Sequence, residues 1–259
     1  MHHSIKLKRI ALILTGLLLL LLAVMAVLIG LDLSQQKSSP AWQQSIHTIR
    51  LLRPDTGEIV MAKEDGQWQM TQPCQLPVNN HRLEPLLEAL HSATHEYQAS
   101  DVDLDAAGLI EPQATVFLNQ QSVKLGKTDL RGSRRYTLKN DVVEFVPEWV
   151  LSLINGGVTA FAILEPFGLS LTDLQLRGDG IIESEQLPFW QALSAQQIVE
   201  LQTIDLQNKT PSEVGTAIFG DIQTQLELYQ LPEFIALRFA DATCAYILAP
   251  DALAPITDP

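Results

Sequence analysis

An unbroken apolar run from Ile10 to Leu31 constrains this 259-residue chain more than any other feature. It is 22 residues long and holds no charged side chain. At a helical rise of about 1.5 Å per residue it reaches about 33 Å, enough for a hydrocarbon core of about 30 Å. The run therefore predicts a transmembrane helix over 10–31. Lys6, Lys8 and Arg9 precede it in a basic tail, 1–9, and the first acidic residue is Asp32. Positive charge beside a first hydrophobic segment stays cytoplasmic, so the expected topology is single-pass, with the remainder of the chain across the membrane. A cleaved signal peptide would carry an apolar stretch of only about 7–15 residues and a small-x-small cleavage site. Here Leu17–Leu22 continues through Val24, Met25, Val27, Leu28 and Ile29, and no Ala-x-Ala follows. No cysteine follows the run to carry lipid. Ala26 and Gly30 form a small-xxx-small pair, a spacing that arises easily by chance in such spans.

The expected location is the bacterial inner membrane, with a periplasmic C-terminal domain and the lipid bilayer as first partner. Charge restricts what else that domain meets. The whole chain has 17 basic and 30 acidic residues. Setting aside Lys6, Lys8, Arg9 and Asp32 leaves 14 against 29, a net charge near −15 for the exported part. Nucleic acid and anionic lipid surfaces repel such a body, because both bind through basic patches. Two cysteines, Cys74 and Cys244, exclude a disulfide scaffold and every multi-cysteine metal site. In an oxidising compartment they either pair or remain separate buried thiols, and sequence leaves both open.

Residues 32–45 are polar, interrupted by Pro40, and read as a tether. Ile46–Leu52 alternates apolar and polar positions as a half-buried strand does. Pro54-Asp55-Thr56-Gly57 turns it into a second strand, Glu58–Lys63, and Glu64-Asp65-Gly66 turns that into a third, Gln67–Thr71. Trp68 is a bulky core or interface side chain. After the Pro73–Pro77 loop, Leu83, Leu86, Leu87, Leu90, Thr94 and Tyr97 recur at helical spacing and predict an amphipathic helix to about Tyr97. Pro85 fits a first turn, so that helix is expected to begin near Arg82–Leu83. An acidic connector, Asp101–Asp105, and the corner Gly108-Leu109-Ile110-Glu111-Pro112 follow. Ala114–Asn119, Ser122–Leu125, Arg135–Leu138 and Val142–Val146 read as four more strands, and Pro147 opens a short helix through Leu153, stopped by Gly156-Gly157.

From about Phe161 the scheme restarts. Leu171–Arg177 with Ile181–Glu183 echoes the strand-turn-strand of Ile49–Val60. Ala236–Phe239 and Ala245–Leu248 before Pro250 echo Arg135–Leu138 and Val142–Val146 before Pro147. Pro188–Gln202 is the best counterpart of the helix. The reading is an α+β fold with strands and helices segregated, a first subdomain over 46–160 and a second, degenerate repeat over 161–259.

Several elements carry a resemblance. They are Gly57-Glu58-Ile59-Val60, Asp65-Gly66-Gln67-Trp68, Pro77 ahead of Leu86-Leu87-x-x-Leu90, Gly108-Leu109-x-x-Pro112, Val123-x-Leu125-Gly126 and Arg135-Tyr136 before a final strand. In this order and spacing, Ile46–Ile154 resembles a bacterial domain-of-unknown-function family of membrane-anchored envelope proteins. That family includes auxiliary components encoded with gliding-motility-type ABC transporters. The resemblance implies one anchor plus one or two such domains, and an accessory or scaffold role. It carries no activity to named residues.

The sharpest chemical constellation is His81, Glu84, Glu88, His91 and His95, which an ideal helix would place on one stripe. His91 and His95 at i, i+4, with Glu88, are the weak candidates for a metal; the stripe lies opposite the leucine face, where any amphipathic helix puts polar residues. Asp101–Asp105 opens like a calcium loop, but Ala106 stands where glycine is needed and Pro112 where a bidentate glutamate is. Arg131, Arg134 and Arg135 form the one dense basic patch of the exported part, a candidate for a carboxylate-rich partner or an anionic glycan, or else an ordinary charged hairpin. No nucleophile elbow, zincin helix or phosphate-binding glycine loop occurs. The expectation is a non-enzymatic protein without a cofactor, binding another envelope protein. The alternatives are an envelope hydrolase or metal-dependent enzyme using the histidines, and a transporter's substrate-capturing domain. An exposed apolar groove favours the first; a cavity joining His91, His95 and a carboxylate, or a deep polar cleft between the halves, favours the others.

Overall fold

The computed structural model describes residues 41–54, 57–130, 132–176, 180–181, 186–206 and 208–253, with only the backbone at 95, 180 and 181. The run Ile10–Leu31, its flank Lys6, Lys8 and Arg9, and Arg131 of the basic patch lie outside the described residues. Among the described residues no helix is long and apolar enough to cross a membrane. The chain divides into two units, Met1–Ser45 and Ile46–Pro259. In the first, α1 (Ala41–Gln44) is a single turn in the expected tether, with Ser45 Oγ donating to the Trp42 carbonyl at 2.7 Å.

The second unit is α+β and strand-rich, built on two antiparallel sheets with few helices. It opens with the expected meander, β1 (Thr48–Arg53), β2 (Gly57–Glu64) and β3 (Gln67–Gln72). The alternation is obeyed: Ile49 and Leu51 face inward opposite Met61 and Ile59, and Trp68 and Met70 continue the same buried layer. The β2–β3 turn places both Asp65 and Gly66 at positive φ, the backbone that an Asp-Gly pair supplies and that matches strand twist.

After the two-residue β4 (Leu76–Pro77), α2 (Asn80–His91) buries Leu83, Leu86, Leu87, Ala89 and Leu90. The helix begins earlier than its apolar pattern indicates, because the Asn79 side chain caps it by accepting from His81 N–H at 3.1 Å. It also ends six residues before the expected Tyr97. Ser92 closes it, its backbone N–H and Oγ both donating to the Glu88 carbonyl at 2.8 and 2.7 Å. The next residues form a strand, β5 (Thr94–Gln98), paired to the later strand β9 (Val142–Pro147). Thr94 and Tyr97 keep helical spacing, yet β-branched and aromatic side chains suit a sheet, and the vacant edge of β9 satisfies their backbone.

A 3₁₀ turn (Ala99–Asp101) leads into a connector, then β6 (Ala114–Leu118), β7 (Gln121–Thr128), β8 (Arg134–Lys139) and β9 (Val142–Pro147) complete a nine-stranded sheet. Its order is β4-β3-β2-β1-β6-β7-β8-β9-β5. Ala107 and Leu109 of the connector pack with Val143 on one face. There Lys127 N–H donates to the Ala107 carbonyl at 2.8 Å, and a Cβ at Gly126 would stand 2.3 Å from that oxygen, so only glycine fits. Two short helices follow, α3 (Trp149–Asn155) and α4 (Gly157–Phe161).

The second sheet holds β10 (Asp173–Leu176), β11 (Gly180–Ile181), β12 (Gln197–Glu200), β13 (Glu213–Phe219), β14 (Ile222–Gln230), β15 (Ile235–Phe239) and β16 (Cys244–Leu248), in the order β11-β10-β13-β14-β15-β16-β12. Taking β1 with β10, β2 with β11, β5 with β12, and β6–β9 with β13–β16, this order matches the first sheet's strand for strand. Small details match too. Ala99 N–H donates to the Asp141 carbonyl as Leu201 N–H does to Thr243, both at 2.9 Å. Gln113 N–H meets the Leu125 carbonyl as Ser212 N–H meets Leu228, both at 2.8 Å. Among the described residues the first sheet alone has the β3–β4 extension. Where it has the twelve-residue α2, the second has α5 (Leu187–Gln191), a single turn and not the Pro188–Gln202 helix considered from sequence.

Cys74 and Cys244 form a disulfide, Cα atoms 5.7 Å apart, joining the loop after β3 to β16. Beside it Thr243 Oγ1 donates to the Pro73 carbonyl at 2.8 Å. The segment 157–164 then acts as a strap between the sheets. On the first sheet's side Asn79 N–H donates to the Phe161 carbonyl at 2.7 Å, and Ile163 N–H to Pro77 at 3.1 Å. On the second sheet's side Thr159 Oγ1 accepts from Ile198 N–H of β12 at 3.0 Å and donates to the Ile198 carbonyl at 3.2 Å.

Candidate functional site

Two concave surfaces stand out among the described residues. The larger, about 700 Å³, is lined by the strap (Thr159, Ala160, Ala162, Leu164), the start of α2 and the length of α3. Pro85 from α2 and Trp149 and Leu153 from α3 make it mainly apolar, while His81, Arg82 and Ser152 give it a polar rim. Its shape follows from local sequence. Pro85 sits inside α2 with no N–H to give the preceding turn. Gly157 at φ 64° bends α3 into α4, and a Cβ there would press the Arg53 guanidinium at 3.3 Å. Trp149 remains 43% exposed, a large aromatic on the lip of a groove.

The smaller surface, about 400 Å³, lies beside β5. A bulge between His95 and Tyr97 breaks the β5–β9 register, and it brings two successive side chains, Glu96 and Tyr97, to one groove. Phe145 is its floor, with the Tyr136 ring centroid 4.8 Å away and that of Tyr97 at 6.5 Å, edge-on. The Arg134 guanidinium lies 4.1 Å over Phe145 and is held by Glu96 at 2.7 Å and Asp129 at 3.3 Å. Burial disfavours the charge on Asp129, but hydrogen bonds from Arg134 and its positive charge outweigh this and hold the carboxyl below its ordinary value. The hydrogen bond to Glu96 raises Arg134 in turn.

The sequence candidates distribute as follows. Glu88 and His91 are exposed on α2, while the His95 backbone belongs to β5. The helix end at His91 therefore breaks the i, i+4 relation on which the histidine pair depended. Among the described residues no group of three His, Cys, Asp or Glu side chains converges to hold a metal. In the acidic connector, Asp103 turns its carboxylate on its own backbone, accepting from Asp105 N–H at 3.1 Å and Ala106 N–H at 3.0 Å. Arg134 and Arg135 point to different places. Arg135 is buried, donating to Glu148, Gln113, the Gly126 carbonyl and, at 3.2 Å, Thr128 Oγ1. Both described arginines are thus engaged internally.

Neither groove is written in a contiguous motif. Trp149, Pro85 and Leu164 are far apart in sequence, and the aromatic cluster needs the β5 bulge. The one local trace is Arg134-x-Tyr136, the cation and ring that alternation sends to the same face of β8. No family model, curated protein or solved structure matches the chain.

Proposed function

We propose that the protein is a single-pass inner-membrane subunit whose periplasmic domain binds a segment of another envelope protein in the groove under Trp149, in an accessory or scaffold role. The observation carrying this reading is that groove: apolar lining, polar rim and an exposed tryptophan, the residue type most enriched where binding energy concentrates. The Cys74–Cys244 bridge supports an oxidising compartment, where such bonds persist. The run Ile10–Leu31 with Lys6, Lys8 and Arg9 supports the anchor and its direction. The matched strand orders support a duplication, and the long helix of the first copy supplies one wall of the groove. The resemblance of Ile46–Ile154 to membrane-anchored envelope domains agrees with this role. An enzyme is not favoured, because His91 lines neither groove.

The test is site-specific photocrosslinking in intact membranes. A photoreactive residue at Ser152, inside the groove, is expected to give a discrete adduct that is lost with Trp149→Glu. The same probe at exposed Asp221, on the β13–β14 turn, is expected to give none. Equal adducts at the two positions, or adducts indifferent to Trp149→Glu, would refute the groove as a docking site.

A further inference from the structure

Sheet edges bare their unpaired N–H and C=O groups, and folded proteins cover or disrupt them. Three of the four edges here are short or covered. β4 is two residues long, ends in Pro77 and meets the strap through the Val78–Ala162 bridge. β11 comprises two residues among those described. β12 is closed by Thr159 at both polar atoms of Ile198. The counterpart of β12 in the first sheet, β5, has no such cover among the described residues. Its Thr94, Glu96, Tyr97 and Gln98 are all exposed; the Glu96 side chain is held from β8 by Arg134, but among the described residues nothing beyond the β9 ladder bonds the backbone of these four.

The open edge runs beside the aromatic groove, and the charge of that groove defines the partner. Among the described residues, Glu96, Asp101, Asp103 and Asp129 line it and Arg134 is the one cation that does; Glu96 and Asp129 pair with that arginine, Asp103 caps its own turn, and Asp101 keeps its charge toward the groove. Arg134 over Phe145 shows what these rings accept: a cation on an aromatic face, held by flanking carboxylates. Tyr97 is 46% exposed and Leu130, on the adjoining loop, is fully exposed, leaving apolar surface for a second occupant. A copy of this chain is a poor one, since β5 carries Glu96 and the chain has a net charge of −13.

We propose that β5 and its groove form a docking site for an extended, cationic segment of a partner protein. The segment adds as a strand to β5 and lays a lysine or arginine side chain against Tyr97, between the carboxylates of Glu96 and Asp101. Five strand residues span about 16 Å, which fits a short segment. The site is separate from the groove under Trp149 and stands or falls independently of it.

The test uses the full-length protein and three labelled nine-residue peptides of alternating valine and threonine. The first bears two arginines on one face, the second has glutamates in their place, and the third is the arginine peptide N-methylated at every second residue. Fluorescence anisotropy is expected to show salt-sensitive binding of the first, weakened at least about tenfold in the other two, a difference of about 1.4 kcal/mol. Tyr97→Ser is expected to cause a similar loss with the melting temperature unchanged. Absence of binding, or glutamate or N-methylated peptides binding within about threefold of the first, would overturn the proposal. So would sedimentation showing a dimer that Tyr97→Ser dissolves, which would assign the edge to a second copy.

Discussion

The disulfide permits the most direct quantitative test. Cys74 and Cys244 are separated by 170 residues, so their bond closes most of the second unit into one loop. The loop-closure relation gives about 5 kcal/mol of stabilisation at 25 °C for a loop of that size, against the 2–5 kcal/mol that native bridges typically contribute. For a body of about 210 residues each kcal/mol moves the melting midpoint by about 2–4 °C, so removal is expected to lower it by about 4–20 °C. Cys74→Ala with Cys244→Ala is the appropriate pair, since both sulfurs are buried and serine would strand a hydroxyl there. Reducing the wild-type protein separates loop closure from lost packing, because no atom is deleted. The urea m-value should rise in both cases, as the unlinked unfolded chain exposes more surface. Protein denatured straight from membranes without reductant should show no alkylatable thiol. Two labelled thiols in that sample, or a midpoint within 1 °C of the oxidised protein after reduction, would refute both the bond and the compartment argued from it.

Three further outcomes are expected. Arg135→Met should cost about 3 kcal/mol in urea unfolding, because Gln113 and the Gly126 carbonyl lose a buried donor while Glu148 loses its ion pair; Arg135→Lys should recover little, one ammonium being unable to meet four acceptors. Burial, and secondarily Glu165, pushes the Tyr246 hydroxyl up to about 12. The folded state then keeps a proton that the unfolded chain releases near pH 10, so stability falls between pH 10 and 12 by about 2–3 kcal/mol; Tyr246→Phe should remove that part of the alkaline loss in urea titrations. Thr159→Val should cost about 1–2 kcal/mol by leaving Ile198 N–H unpaired, with faster hydrogen exchange at that amide than at Ala245 as the diagnostic.

The sequence reading follows the structure where a local rule and the tertiary fold agree. Asp65-Gly66 and Asn140-Asp141 both adopt positive φ at turns, and the strands they join are the expected ones to within a residue or two. It diverges where two rules compete. Thr94 and Tyr97 continue the helical period of Leu83–Leu90, but the period says nothing of Ser92 capping or of an unfilled β9 edge. Pro85 argues for a late helix start, while the Asn79 cap sets an early one and places the proline inside. In Pro188–Gln202, proline opens a helix as expected, yet that helix, Leu187–Gln191, is only five residues long and the chain is drawn into β12 at Gln197. The candidate site was least legible of all. Arg135 reads as a surface charge in any window of the chain, and only the pleat of β8, which turns Arg135 and Thr137 to the buried face, makes it internal.

That same pleat explains why the two faces of β8 serve different ends. Arg135 looks inward and ties β7 and the start of α3 to β8, through Gly126, Thr128 and Glu148. Arg134, one residue earlier, looks outward to Phe145 and is held by Glu96 from β5. The Glu96 that anchors Arg134 also lies on the open edge, so the groove and the edge are mechanically one feature. The corresponding position in the second sheet had to be closed differently, since β12 there faces the strap and the interior junction between the sheets. One strand order therefore yields a closed edge where the two sheets are tied together and an open one at the far end. An exposed edge flanked by fixed charge is costly to leave unguarded, because it invites aggregation with any extended chain. The bulge disrupts that edge and Glu96 sets negative charge on it, which is the physical reason to seek a cationic ligand there rather than treat β5 as an ordinary end of a sheet.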